Sequence, residues 1–257
     1  MKPAPFTIEH PDSLEAAAAF LRGRVAVPIA GGQSLGPMLN LRAARPDHLV
    51  PLDRLDALHG AEDTADAITL GACTTHAAIA DGRTPDFPRD LRGHILAGVA
   101  ANIAYRAVRT RGTIGGSLCH ADPAADWLTT LTALDAIVLT TTRAVPLDQF
   151  VTGPYQTALR EGELLRAVRI PRPAAGARWG YHKLCRKPGE FAHAMAACLL
   201  GGPTPRIALG AMAGPPLLLT GDAAGLDQAA AALDDLPQVE RHLHLVALRR
   251  AMDQAGA

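Results

Sequence analysis

Hydrophobic and polar positions alternate along the chain in two registers, and the register sets each predicted element. Phe6 to Glu9 reads as a short strand, and Pro11-Asp12-Ser13 as a helix start. Leu14, Ala17, Ala18 and Leu21 then recur at helical spacing until Gly23 ends the run. Val25 to Ile29 is apolar and β-branched, so it predicts the second strand of a β-α-β unit that leaves through the glycine pair of AGGQSLGPMLNLR, residues 30–42. Leu35 to Leu41 predicts a short helix and HLVPLDRL, 48–55, a third strand.

From Ile68 the texture changes. AITLGACTTHAAIA predicts a strand, a turn and a helix capped by Thr74 or Thr75. LRGHILAGVAANIAYRAVRTRG, 91–112, predicts helix for much of its length, ending near Gly112. Beyond the second glycine pair, Asp122-Pro123 predicts a helix opening with Asp as cap and Pro in the first turn. Trp127, Leu128, Leu131 and Leu134 form its apolar face, and Ala136 to Thr140 the next strand. Pro and Gly cluster in IPRPAAGARWG, 170–180, where a domain boundary is placed, and VERHLHLVALRRAM predicts a final amphipathic helix.

Charge and composition remove several function classes. Lys plus Arg and Asp plus Glu are equal at 25 each, and aromatics make up 4% of the chain. Neither a basic field nor a stacking platform for nucleic acid is therefore expected. No apolar run approaches the ~18 residues of a membrane span, and the acidic N-terminal stretch does not suit a secretory signal, so the expected location is cytoplasmic. Cys73, Cys119, Cys185 and Cys198 lie far apart without a C-x-x-C pair. Any iron-sulfur chemistry would have to sit on another chain.

The two glycine pairs are the candidate chemistry, and a plain structural turn remains the alternative for each alone. Gly31-Gly32-Gln33-Ser34 offers consecutive bare amides, two polar side chains and a helix start, a combination that suits phosphate. Thr113-Ile114-Gly115-Gly116-Ser117 repeats the recipe, with Arg106, Arg109 and Arg111 upstream. Two such sites suit a pyrophosphate held from both sides. Asp126, on the more polar side of its predicted helix, suits a hydroxylated chain as partner, with a solvated helix residue as the alternative. His76, His120 and His193 are the histidines to consider for acid-base work. His76 is expected to pack or cap its helix start, His120 to approach a ligand at the second turn, and His193 has no nameable partner.

AGGQSLGPMLNLR, GACTTHAAI, VRTRGTIGGSLCHADPAAD, ALDAIV and HKLCRKPGEFA occur in the order that resembles the FAD-binding medium subunit of molybdenum hydroxylases, the carbon monoxide dehydrogenase and xanthine dehydrogenase type. The resemblance implies an α+β fold. Its FAD-binding domain is of the vanillyl-alcohol oxidase and p-cresol methylhydroxylase type, covering 1–172 in two lobes of about 1–55 and 56–172. A small, shortened α+β C-terminal domain follows over 173–257. It also implies FAD as cofactor, bound by Ala30, Gly31, Gly32, Gln33, Ser34 and Leu35 in one turn and by Thr113, Ile114, Gly115, Gly116 and Ser117 in the other. Asp126 resembles the carboxylate that binds the flavin's hydroxylated chain, Lys183 a cofactor-contacting lysine, and Leu165 a residue lining the cofactor.

Ser117 stands where many relatives have Asn, and Glu190 where Asp is common. CLLGGPTPRIALGAMAGPP is short for the two paired strands that relatives place there. The function implied is an electron-transfer subunit with no catalytic side chain of its own. A [2Fe-2S] small subunit and a molybdopterin large subunit would be its partners, and NAD, a quinone or dioxygen its acceptor. A free-standing FAD-dependent oxidase or dehydrogenase acting on a small molecule, with His120 or His193 as acid or base, is the alternative. A non-enzymatic structural subunit is the third reading.

Overall fold

The computed structural model describes residues 2–87 and 95–256. The first lobe holds β1 (Thr7–Ile8), α1 (Leu14–Leu21), β2 (Ala26–Ile29), α2 (Leu35–Asn40) and β3 (His48–Pro51). Its sheet is parallel with order β1-β3-β2. The predicted β-α-β unit is present, and Ser13 caps α1 by accepting from the Ala16 amide at 3.1 Å. The predicted third strand stops at Pro51.

The second lobe runs through β4 (Ala61–Asp63), β5 (Ala67–Gly71), α3 (His76–Ala80), α4 (Ile95–Ala101), α5 (Arg106–Arg109), α6 (Ile114–His120), α7 (Asp126–Ala133), β6 (Ile137–Thr140), β7 (Ala144–Pro146), α8 (Leu147–Phe150), β8 (Val151–Gly153), β9 (Gln156–Thr157) and β10 (Leu165–Pro171). An antiparallel sheet of order β4-β5-β10-β6-β7 forms its floor. Thr75 is the cap of α3, accepting from the Ala78 amide.

Two helix expectations need correction. The stretch predicted as one helix to Gly112 is broken between α4 and α5, because Ala104 adopts φ 43° and the Arg109 guanidinium bonds the Ile103 and Ala104 carbonyls at 2.9 Å. Its first four residues lie outside the described residues. Asp122 does not open α7. Its carboxylate accepts from the Ala124 amide and its carbonyl from Ala125, both at 2.9 Å, which makes a turn that delays the helix to Asp126. The predicted apolar face is also too narrow, since every residue of α7 is buried.

The C-terminal elements explain that burial. β11 (Arg178–Leu184), β12 (Ala194–Leu200), β13 (Arg206–Gly210) and β14 (Leu217–Thr220) form an antiparallel sheet in that order, followed by α9 (Leu226–Ala232) and α10 (Gln238–Ala255). One face of the sheet lies on α7, where Gly210 packs against Thr129. The other lies on α10, where a Cβ on Gly180 would overlap the Ala251 carbonyl. The segment expected to be too short for paired strands forms β12 and β13, joined from Met195↔Gly210 to Leu199↔Arg206. The small side chains of Ala194 and Ala196 in β12 let α10 come close. Among the described residues no helix is long and apolar enough to cross a membrane.

Candidate functional site

β2 and β3 run parallel, so the chain must leave both at the same end of the sheet, and Gly31 carries it off β2 directly onto the second lobe. A Cβ on Gly31 would overlap the Arg111 carbonyl. Only glycine permits that approach. Gly32 follows at φ 68°, a left-handed conformation that costs other residues about 1 kcal/mol. The amides of Gly31, Gly32, Gln33, Ser34 and Leu35 donate to no group among the described residues. Five consecutive donors are therefore without a protein acceptor among the described residues, and all five residues line the space between the lobes.

The second turn has the opposite economy of donors. Thr113 is the cap of α6, its hydroxyl accepting from the Gly116 amide at 3.1 Å. The Ile114 amide donates to the Thr74 carbonyl and the Gly115 amide to the Ala72 carbonyl, each at 2.9 Å. The expectation that this turn repeats the recipe of bare amides is corrected: the Ile114 and Gly115 amides brace it to the residues after β5, the Gly116 and Ser117 amides bond to Thr113, and only the Thr113 amide is without an acceptor among the described residues. His76 completes the brace. Its amide donates to the Gly112 carbonyl at 2.9 Å and its Nδ1 accepts from Trp127 Nε1 at 3.1 Å. Burial, helped by the charge of Arg109, lowers its pKa to about 4, so the ring is neutral.

Both turns border one cavity of about 600 Å³, within the range of small-molecule sites. The cavity brings together Ala30, Gly31, Gly32, Gln33, Ser34, Leu35, Thr113, Gly115, Gly116, Ser117, Asp126, Leu165 and Lys183. Ile114 is not among its walls; the side chain is buried in the core and only its neighbours face the space. Arg106, Arg109 and Arg111 also stay out of it. Arg106 grips Asp81, with Nη2 at 2.8 Å from Oδ2, and Arg109 holds backbone carbonyls. His120 borders the cavity, with its ring 5.2 Å from that of Tyr155. His193 is exposed and does not line it.

Asp126 and Lys183 reach the cavity wall from different sheets' neighbours. α7 supplies the carboxylate and β11 the ammonium, 3.0 Å apart and both buried. Tyr181, two residues before Lys183 and so on the same strand face, donates its hydroxyl to Asp126 Oδ1 at 2.5 Å. Burial raises the Asp126 carboxyl above the usual range, against the pull of Lys183 and Tyr181. Burial and the Asp126 charge lift the Tyr181 hydroxyl well above its usual value, so it stays a donor. The solvated alternative for Asp126 is thereby excluded. Tyr181 was not singled out from sequence, although its i, i+2 spacing to Lys183 in a strand was the available signal.

Glu163, also missed, closes one side. Burial alone would raise it, but bonds from Arg143, Thr140, the Arg160 amide and Thr142 hold it down at about 2. Apolar walls come from Leu52, Ile103, Leu159, Leu164 and Leu165. Free amides at one end, an ion pair beside them and a dry wall suit a dinucleotide: diphosphate on the amides, planar ring on the apolar side.

Comparison with known proteins agrees with this chemistry. Residues 4–173 match the family described as the FAD binding domain in molybdopterin dehydrogenase. The carbon monoxide dehydrogenase medium chain of Hydrogenophaga pseudoflava is 36% identical over 211 residues, 78% of this chain and 70% of that one. The 6-hydroxypseudooxynicotine dehydrogenase complex subunit alpha of Paenarthrobacter nicotinovorans is 37% identical over 206 residues, covering 78% and 68%. Among solved structures, reconstituted CO dehydrogenase from Oligotropha carboxidovorans superposes with a TM-score of 0.88 at 32% identity over 99% of both chains. Quinoline 2-oxidoreductase from Pseudomonas putida 86 gives 0.85 at 31%. The chain belongs to the FAD-binding medium-subunit family of the molybdenum hydroxylases, whose members bind FAD and transfer electrons within multi-chain oxidoreductases.

Proposed function

We propose that this chain takes electrons from a [2Fe-2S] small subunit, which a molybdopterin large subunit feeds, and passes them to an external acceptor. The relatives' names, a medium chain and a complex subunit, support that assembly. A cytoplasmic location goes with it. The observation that carries the cofactor assignment is the run of five free amides from Gly31 to Leu35 facing a cavity that the second turn shares. Residues 1–172 are assigned to FAD binding, in lobes 1–55 and 56–172, and 173–257 to a C-terminal domain that completes the wall through Lys183.

FAD, when bound, would supply the redox chemistry. The chain binds and orients it. Gly31 to Leu35 place donors on the diphosphate, and Ser34 and Ser117 add hydroxyls. Asp126 accepts from Tyr181 and Lys183 at Oδ1 and from Lys183 at Oδ2, and the lone-pair capacity left on Oδ2 serves a hydroxyl of the ribityl chain. Leu52, Ile103, Leu164 and Leu165 keep water from the ring side of the cavity.

The free-standing oxidase reading rested on a C-terminal segment too short for paired strands, and those strands are formed. Affinity purification of the chain from its native host tests the assembly. It should bring down flavin, an iron-sulfur chain and a molybdenum-containing chain in fixed ratio. A flavin-loaded chain that purifies alone and is reduced directly by a small substrate would overturn the proposal.

A further inference from the structure

A second cavity, of about 480 Å³, adjoins the first and shares Ala104, Lys183 and Gly189 with it. One wall is the start of α5, with Tyr105, Arg106 and Arg109. The other is the turn after β11, with Cys185, Arg186, Lys187, Pro188 and Gly189. Among the described residues no Asp or Glu lines it. Five cationic residues, Arg106, Arg109, Lys183, Arg186 and Lys187, therefore line one space.

Their carboxylates stand behind them and are too few. Asp81 pairs with Arg106, Asp126 with Lys183, and Glu190 serves both Arg186, at 3.1 Å, and Lys187, at 3.7 Å. Arg109 has no carboxylate partner among the described residues, and its buried Nε makes no hydrogen bond. Two positive charges are left over, which matches a dianion. The walls are also held in place: Gly189, at φ 87°, lies so close to Tyr105 that a Cβ would sit 2.7 Å from its ring. That contact docks the turn on the residue before α5 and leaves Tyr105 56% exposed.

We propose that this pocket binds the phosphate end of a small organic phosphate whose other end reaches the cofactor cavity across the shared wall. Guanidinium forks suit phosphate oxygens. The volume exceeds one phosphate, so closely spaced phosphates fit best. The proposal rests on the FAD reading only for the occupant of the neighbouring cavity.

Titration of the FAD-loaded protein with inorganic pyrophosphate, followed calorimetrically at low and high salt, tests it. Binding should be saturable and weaken with salt. The Arg186→Ala/Lys187→Ala double variant should bind about tenfold or more weakly at unchanged flavin content, through lost charge-assisted bonds. Arg109 is left intact because it also holds the Ile103 and Ala104 carbonyls. No binding, equal affinity in the double variant, or release of FAD by pyrophosphate would each overturn the proposal; release would make the pocket part of the FAD cradle. A chain that retains no flavin at all would fail the functional reading instead. The same titration of that flavin-free chain, with its double-variant control, would still decide the pocket.

Discussion

The two glycine turns look alike in sequence and do opposite work. At Gly31 to Leu35 the amides have no acceptor among the described residues and the chain is partly exposed; at Ile114 to Gly116 they are spent on Thr74, Ala72 and the Thr113 hydroxyl, and most of the turn is buried. The first leaves its donors available to a ligand. The second is braced: Gly115 packs against Ala72, and Gly116 sits against the Thr113 hydroxyl that its amide bonds. A Gly-Gly pair thus encodes close approach, and what approaches, ligand or protein, depends on where neighbouring carbonyls lie.

The largest effect should come from Gly31→Ala. Its Cβ would overlap the Arg111 carbonyl, backbone that cannot rotate away, so the turns must separate. We expect a loss of about 3 kcal/mol or more, read as a fall in melting temperature together with loss of flavin. Gly36→Ala is the internal control. No atom lies within 4 Å of its Cβ, and it sits in α2, where alanine gains up to about 1 kcal/mol over glycine. A Gly31→Ala protein as stable as wild type would end the claim that the lobes meet there. Gly115→Val is a poor test of cofactor contact for the same reason, since its side chain would strike Ala72 and unfold the brace.

Acid should attack the brace and spare the open turn. A free histidine takes a proton near pH 6.5, whereas folded His76 takes one only near pH 4. Between those values the unfolded chain binds a proton that the folded chain refuses, so stability falls as pH drops from about 6.5 to 4, by about 3 kcal/mol. Above that window the group contributes no slope. Glu163 adds a lower limb: its stabilisation is full above its unfolded value of 4.5 and fades as pH falls toward about 2. Melting curves of His76→Gln should be flatter between pH 6.5 and 4 and keep the lower limb. An unchanged upper slope would remove His76 as the sensitive group.

The ease of reading the sequence followed the range of the interactions. α1, β2 and α3 were legible because their caps and periodicities are local: Ser13 and Thr75 each bond three residues on. Asp122-Pro123 misled because the same Asx chemistry that caps helices also makes turns. The resemblance brought the site residues to one cavity, yet Ile114 fell outside it, because turn residues alternate between cavity and core and the motif does not say which. Nothing local announced that the second turn's amides are spent, since their acceptors lie at Ala72 and Thr74, some forty residues earlier by the numbering. The same holds for the Arg residues upstream, drawn away by Asp81 and by carbonyls of their own loop.

The finest test of the contrast uses one hydroxyl from each turn. Ser34 precedes α2 but caps nothing; its hydroxyl has no partner among the described residues and stands among the free amides at the cavity wall. Thr113 is committed to the Gly116 amide. Ser34→Ala should therefore leave the melting temperature of the flavin-free protein unchanged and weaken FAD by about 1.5 kcal/mol, roughly tenfold, the worth of a hydrogen bond to a charged phosphate. Thr113→Ala should do the reverse, removing a helix cap worth about 1 kcal/mol of stability with a smaller change in FAD affinity. The pair is measured by FAD titration and by melting of the same preparations. If Thr113→Ala lost FAD without losing stability while Ser34→Ala changed neither, the roles assigned to the two turns would have to be exchanged.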